Sequence, residues 1–381
     1  MKEIILSPNE IDYNKYFVVT YYLESKTCLK DAALAIAIGQ SWGNTEMRAG
    51  KWESKELIEK YAAKVIDEGI LSQKSGRVNI VFPICNLNWS EDGISQLLCI
   101  IQGGQLDIKN IQTCLVVNIK FPDSVKKHFM GPKFGLKGLR EKTKCFNKPL
   151  LMGICKPKLM DSPQMLLDMI KELVDGGVNI IKLDEINSSP PSCRFRDRIK
   201  LIADYLRNKS VVYFDCITSD YPYVISRAIQ ANLEGISGIH VNCWAGWGVY
   251  KAIRELDLDT FLFCQRSGDK CMTDRIHRFH IRWSVLCKLV AMSGVDVVHA
   301  GMRFGYSNDD PEEVNKAIKV LRGFDVAPTL SCGFTPELVE KVTNEVGIDY
   351  VIGAGGSIHS DANGTTSGAL KFRKTIDNLY G

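Results

Sequence analysis

The chain has 381 residues, 45% of them hydrophobic and 24% charged, an ordinary globular composition that is long enough for a large core and two domains. Its 48 basic and 44 acidic residues leave a net charge of +4, which makes no case for a nucleic-acid partner or a membrane surface. The thirteen cysteines are scattered without a C-x-x-C pair, so neither a zinc site nor a disulfide framework is indicated. Several, such as Cys99, Cys114, Cys155 and Cys287, sit in apolar runs and read as small buried hydrophobes. Met1 to Phe17 carries acids and a proline where a signal peptide needs an apolar run, and no apolar stretch is long enough to span a bilayer. The expected setting is cytoplasmic.

Tyr16–Leu23 is rich in aromatic and β-branched residues and predicts a strand. Leu29–Gly39 has helical spacing, with Gly39 as its stop. Leu57–Gly69 is mixed. Arg77–Pro83, Gln96–Ile101 and Thr113–Phe121 predict further strands. From Leu150 the pattern becomes regular. Strands are expected at Leu150–Cys155, Val178–Ile181, Val211–Ile217, Gly238–Cys243, Phe261–Cys264, Val295–His299, Val326–Ser331 and Asp349–Ile352, each followed by an amphipathic helix. Eight such units in about 240 residues have the number and length of a closed barrel. The expected fold class is α/β: a C-terminal (β/α)8 TIM barrel over residues 133–381, preceded by an N-terminal α+β ferredoxin-like domain over residues 1–132. An open doubly wound sheet is the competitor, but the first turn carries no glycine fingerprint.

A barrel carries its chemistry at the C-terminal ends of its strands. Lys182, Asp184 and Glu185 end the second. Alternation points Lys182 and Asp184 the same way, and Glu185 can turn back from the loop. Two carboxylates are hard oxygen ligands of the kind Mg²⁺ prefers. A lysine joins such a site once carbon dioxide has turned its amine into an anionic carbamate; the plain alternative is a lysine salt-bridged to two acids. Lys156 and Lys158 follow the first strand, and each makes the other's charged form costlier. Asp215, Asn242, Gln265 with Arg266, His299 and Ser331 end strands three to seven. Gly353-Ala-Gly-Gly-Ser357 follows the eighth, where backbone N–H groups can face a phosphate.

These motifs resemble ribulose bisphosphate carboxylase (RuBisCO) and its RuBisCO-like relatives. The resemblance runs through Phe129-Met-Gly-Pro-Lys-Phe-Gly135, Gly153-Ile-Cys-Lys-Pro-Lys158, Lys182-Leu-Asp-Glu185, Arg196-Asp-Arg198, His299-Ala-Gly301 and Ser331-Cys-Gly333. It implies that Lys182 is carbamylated and binds Mg²⁺ with Asp184 and Glu185. Lys156 would move the proton in enolisation, with Lys158 as its electrostatic partner and His299 also in the catalytic set. Arg266, His299 and Ser331 would hold a distal phosphate, and Gly333, Gly355 and Gly356 a proximal one. Asn44 would reach the site from a partner subunit, because the family builds its active site across a homodimer, with larger assemblies made of dimers.

The departures from the pattern also carry information. Carboxylases of the family place a lysine in the loop after the sixth strand; here Tyr306 stands in its place, with Arg303 nearby but displaced. Gln265 stands where the family has a histidine, and Gly39 where a partner's carboxylate would position the loop lysine. The expectation is a form IV RuBisCO-like protein. It would be an Mg²⁺-dependent isomerase, tautomerase or decarboxylase acting on a small phosphorylated keto-sugar or keto-acid, like the methionine-salvage enolase. A genuine carboxylase, a non-catalytic binding protein and a Schiff-base aldolase using Lys156 are the alternatives.

Overall fold

The computed structural model describes residues 4–43 and 54–381, which form two compact units. Among the described residues no helix is long and apolar enough to cross a membrane. One unit comprises Met1–Phe129 with Gly268–Leu289, the other Met130–Ser267 with Val290–Gly381.

The first unit is built on a six-stranded sheet. In spatial order its strands are Ile5–Leu6, Lys64–Ile66, Ser75–Pro83, Tyr16–Ser25, Ile111–Lys120 and Phe279–Ile281. Along Tyr16–Ser25 burial alternates strictly, as expected of a strand with one apolar face. The helix Leu29–Gly39 lies on the sheet with most of its residues buried. Two expectations are corrected here. Gln96–Ile101 is not a strand but the end of a helix, Gly93–Ile101. Its buried residues Ile94, Leu97 and Ile101 recur every three to four positions, a helical period rather than a period of two. Cys99 consequently lies on the outer face of that helix and is exposed, not buried. The sheet's last strand, Phe279–Ile281, comes from the segment after the fifth barrel strand and pairs parallel to Ile111–Lys120.

The second unit contains a closed barrel of eight parallel strands. They are Leu150–Ile154, Ile180–Lys182, Val212–Cys216, Gly238–Asn242, Phe261–Gln265, Val297–Gly301, Ala327–Leu330 and Val351–Ala354. The ring closes where Val351 pairs with Leu150. The fold class read from the sequence is therefore the observed one. Inward side chains, among them Leu150, Ile180, Val212, Phe261, Val297 and Val351, form one apolar cluster with Leu136 and Leu139 of the helix Gly135–Thr143. That helix closes the end at which the strands begin. Gly135 starts it at φ +59°, where an added Cβ would lie 2.3 Å from the Asp325 carbonyl oxygen, so only glycine fits. Asp296 holds this end together by accepting from the Phe134, Gly135 and Leu262 amides and pairing with Arg254. Sealing one end by apolar packing leaves polar groups to collect at the other.

Candidate active site

Side chains alternate along a strand, so the parity that sends Met152, Ile180, Phe263, Val297, Ala327 and Val351 into the core continues upward. Successive residues of that parity are Ile154, Lys156 and Lys158; Lys182 and Asp184; Gln265 and Ser267; His299; Thr329, Ser331 and Gly333; and Gly353 and Gly355. All of them, with Glu185 and Gly356, line one cavity of about 410 Å³. Glycine at position 353 lets the rim close up: a Cβ there would lie 2.8 Å from that of Ser331.

One side of the cavity is crowded with charge. Lys182 is 2% exposed, donates to the Leu183 carbonyl oxygen at 3.1 Å and lies 3.6 Å from Glu185 Oε2. Lys156 Nζ donates to Asp184 Oδ2 at 2.5 Å, and Asp184 is 1% exposed. Gln265 Nε2 donates to Ser267 Oγ, which donates to Glu185 Oε1, each at 2.7 Å. Burial works against ionising Glu185, but the Lys182 ammonium and the Ser267 hydroxyl outweigh it and hold the carboxyl at about 2. Lys158 is exposed at the mouth and makes no ion pair with any described residue. Three lysines against two carboxylates leave this lining with one net positive charge, carried by Lys158.

The other side is neutral. Ser331 Oγ and His299 Nε2 are 2.7 Å apart, and His299 Nδ1 is buried without a partner. Burial, reinforced by the Arg266 charge, pushes the His299 imidazole down to about 3, so it is uncharged at neutral pH. Tyr306 lines the mouth with its side chain 84% exposed, its amide donating to the Cys332 carbonyl oxygen at 3.1 Å. Arg303 of the same loop is bound to Glu345 at 2.6 Å and to Asn315 at 2.6 Å.

Three residues singled out in the sequence, Arg266, Asp215 and Asn242, are not cavity groups. Arg266 lies between Gln265 and Ser267, so alternation turns it away from the cavity, and its guanidinium pairs with Asp309. Asp215 is fully buried and takes Arg198 Nη2 at 2.6 Å and the Tyr213 hydroxyl at 3.0 Å. Asn242 binds the Ser267 carbonyl oxygen and the Thr218 hydroxyl. Asn44 lies outside the described residues. Conversely, Ser267 and Thr329 line the cavity without having been anticipated, Thr329 with an unpartnered buried hydroxyl. Their parity with Gln265 and Ser331 was the available signal.

Mg²⁺ prefers an all-oxygen donor set. Among the described residues no three His, Cys, Asp or Glu side chains are placed to hold a metal. Asp184 and Glu185 supply two carboxylates, and the side chain beside them is Lys182. An all-oxygen set of three therefore requires Lys182 as its carbamate, and the lysine's position against Glu185 fits that role.

A family model, ribulose bisphosphate carboxylase large chain, catalytic domain, matches residues 135–324. The chain belongs to the RuBisCO large-chain family. It is 27% identical to a ribulose bisphosphate carboxylase-like protein from Archaeoglobus fulgidus, over 97% of this chain and 89% of that protein. It is 26% identical to a 2,3-diketo-5-methylthiopentyl-1-phosphate enolase from Microcystis aeruginosa, over 95% of this chain and 93% of the enolase. Among solved structures it resembles the octameric ribulose-1,5-bisphosphate carboxylase/oxygenase of Pyrococcus horikoshii, in complex with sulfate. The TM-score is 0.89, at 26% identity, covering 98% of this chain and 90% of that one. Relatives within the RuBisCO family thus include carboxylases, an enolase and a RuBisCO-like protein, so membership alone does not choose the reaction. The choice has to come from the cavity.

Proposed function

We propose that this protein is a RuBisCO-like enzyme that enolises a small phosphorylated keto-sugar or keto-acid, as an isomerase, tautomerase or decarboxylase, without adding carbon dioxide. One observation carries the reading. The loop after the sixth barrel strand presents a phenol, Tyr306, to the cavity, and its arginine is bound to Glu345. A phenol is neutral near pH 7, so the loop offers no positive charge to a newly formed carboxylate. This weighs against the carboxylase reading, which the names of several relatives would otherwise favour.

Lys182, as its carbamate, would hold Mg²⁺ together with Asp184 and Glu185. The ion, when bound, supplies Lewis-acid polarisation of a substrate carbonyl and its neighbouring oxygen. Lys156, which stands against Asp184 at the cavity wall, is the base of this reading and would act as its free amine. That amine accepts the proton from the carbon beside the carbonyl; the C–H electron pair forms the new C=C bond, and the carbonyl oxygen takes the negative charge. Lys158, which forms no ion pair with any described residue, offsets that charge. Reprotonation at a different atom completes an isomerisation. In a β-keto acid, loss of carbon dioxide yields the same enolate. His299 is neutral and held by Ser331, so it serves as a hydrogen-bonding group, not as an acid. A phosphate would approach the backbone at Gly333, Gly355 and Gly356; the space is open at Gly356, where an added Cβ would meet nothing within 4 Å, whereas one at Gly333 would meet Tyr306 at 2.8 Å. We further propose a cytoplasmic homodimer whose partner completes the site, or a larger assembly of such dimers.

The test is a proton-exchange screen. Phosphorylated ketoses and keto-acids are incubated with enzyme, Mg²⁺ and bicarbonate in heavy water, and deuterium is located by NMR. Exchange beside a carbonyl, with no incorporation of labelled carbon dioxide into ribulose bisphosphate, is expected. Carbon dioxide fixation at a rate matching the exchange would reverse the reading.

A further inference from the structure

The helices Phe195–Leu206 and Tyr223–Glu234 begin beside a second hollow, of about 300 Å³, that shares no residue with the catalytic cavity. Three arginines line it: Arg194 and Arg196 at the start of the first helix, and Arg227 in the second turn of the other. Ser189, Ser226 and Gln230 add neutral polar groups, and no acidic side chain is in the lining. Helix geometry divides the Arg196-Asp-Arg198 motif, because residues two apart point to opposite sides. Arg198 is buried and pairs with Asp215, whereas Arg196 is exposed at the hollow. Among the described residues, Arg194, Arg196 and Arg227 form no ion pair.

Arg227 is positioned but not neutralised. Its Nη1 donates to Ser188 Oγ at 2.8 Å, and its guanidinium carbon lies 5.8 Å from the centre of the Phe195 ring. Burial and then the Arg198 charge push its pKa below the ordinary arginine value; Arg196 adds to this, while Cys216 and Asp215 oppose it. Like charges gathered around one hollow repel, and no residue of the lining offsets that cost. An anion from solution would offset it. The positive ends of both helix dipoles act in the same sense. Guanidinium forks match phosphate oxygens two at a time, and the serine hydroxyls and Gln230 amide can donate to those left over. A concave space of about 300 Å³ suits a small molecule.

We propose that this hollow is a second binding site, for a small phosphorylated molecule gripped through its phosphate by Arg194, Arg196 and Arg227. The site is separate from the catalytic cavity and stands independently of the enolisation reading.

Inorganic pyrophosphate, titrated calorimetrically without added metal, tests it. The wild-type protein should show a site that the double variant Arg194→Gln, Arg196→Gln weakens at least about tenfold, since two charge-assisted contacts are lost. Both side chains are exposed, so the double variant should fold and melt as the wild type does. Arg227 is left in place because it also holds Ser188. Lys158→Ala, which removes a charge from the catalytic cavity, should leave this site within about twofold of wild type. A wild-type protein that binds no pyrophosphate overturns the proposal, and that measurement needs no variant. Binding equally tight in the double variant overturns it too, as does binding lost only in Lys158→Ala, which would put the anion in the catalytic cavity.

Discussion

The mouth of the barrel has two unlike sides. Around the first and second strands, Lys156, Lys182, Asp184 and Glu185 turn their charges into the cavity and pair across it. Around the fifth to seventh strands, the charges of Arg266 and Asp309 satisfy each other away from the cavity, which is lined there by uncharged groups, among them Gln265, Ser267, His299, Ser331 and Tyr306. A side whose charges face the cavity can exchange an internal counter-ion for a metal or a substrate oxygen. A side whose charges are mutually satisfied and buried contributes shape and neutral hydrogen bonds. On the proposed reading the chemistry belongs to the first side.

The sharpest way to break this contrast is Lys182→Ala. Deuterium exchange that depends on Mg²⁺ and bicarbonate should fall about a thousandfold, since the metal-borne stabilisation is lost. Calorimetry should show Mg²⁺ binding lost as well. Exchange retained within tenfold would move the reaction away from the second strand.

Beneath the charged side, Arg198 grips Asp215 and also donates to the carbonyl oxygens of Asn187 and Ser188, just after Glu185. Asp215→Ala leaves that guanidinium buried and uncompensated, and unfolding by denaturant should report a loss of about 3–5 kcal/mol. A loss below about 1 kcal/mol would mean the charged side does not depend on this support.

Acid should separate the two sides next. The His299 pKa is depressed from 6.5 to about 3 in the fold, so the unfolded chain binds more protons between those values. Its contribution to stability is present above 6.5 and is lost as pH falls toward 3. Glu185, depressed from 4.5 to about 2, adds a loss only below 4.5. Melting curves of His299→Asn should therefore flatten between pH 6.5 and 4.5, an effect of order a few kcal/mol in total, while the steeper fall below 4.5 persists. An unchanged profile would show that the imidazole is not held neutral.

The smallest effect is expected from Tyr306→Phe. Its hydroxyl supplies no charge and its ring is largely exposed, so exchange should change by less than about twofold. A hundredfold fall would assign the phenol a proton-transfer role and erase the distinction between the sides.

The sequence made much of the charged side legible because its cues are local. Lys182, Asp184 and Glu185 are consecutive or nearly so, and period-two alternation alone predicts which of them share a face. The same rule, applied to Gln265-Arg266-Ser267, already separated the arginine from its neighbours. Reading Arg266 as a phosphate ligand followed the motif and not the parity. The helix at Gly93–Ile101 was missed for a related reason: a short apolar run satisfies either period, and only burial of Ile94, Leu97 and Ile101 together decides.

Composition, strand–helix spacing and side-chain alternation determined by themselves that the chain would close into a barrel and which residues would face its mouth. Tertiary structure alone decided which charges are spent. Arg266 meets Asp309 across 43 positions of chain and Arg198 meets Asp215 across 17. No local pattern encodes which carboxylate reaches which guanidinium, because that depends on how neighbouring strand ends and loops converge once the ring has closed. The net charge left facing the cavity follows from those pairings.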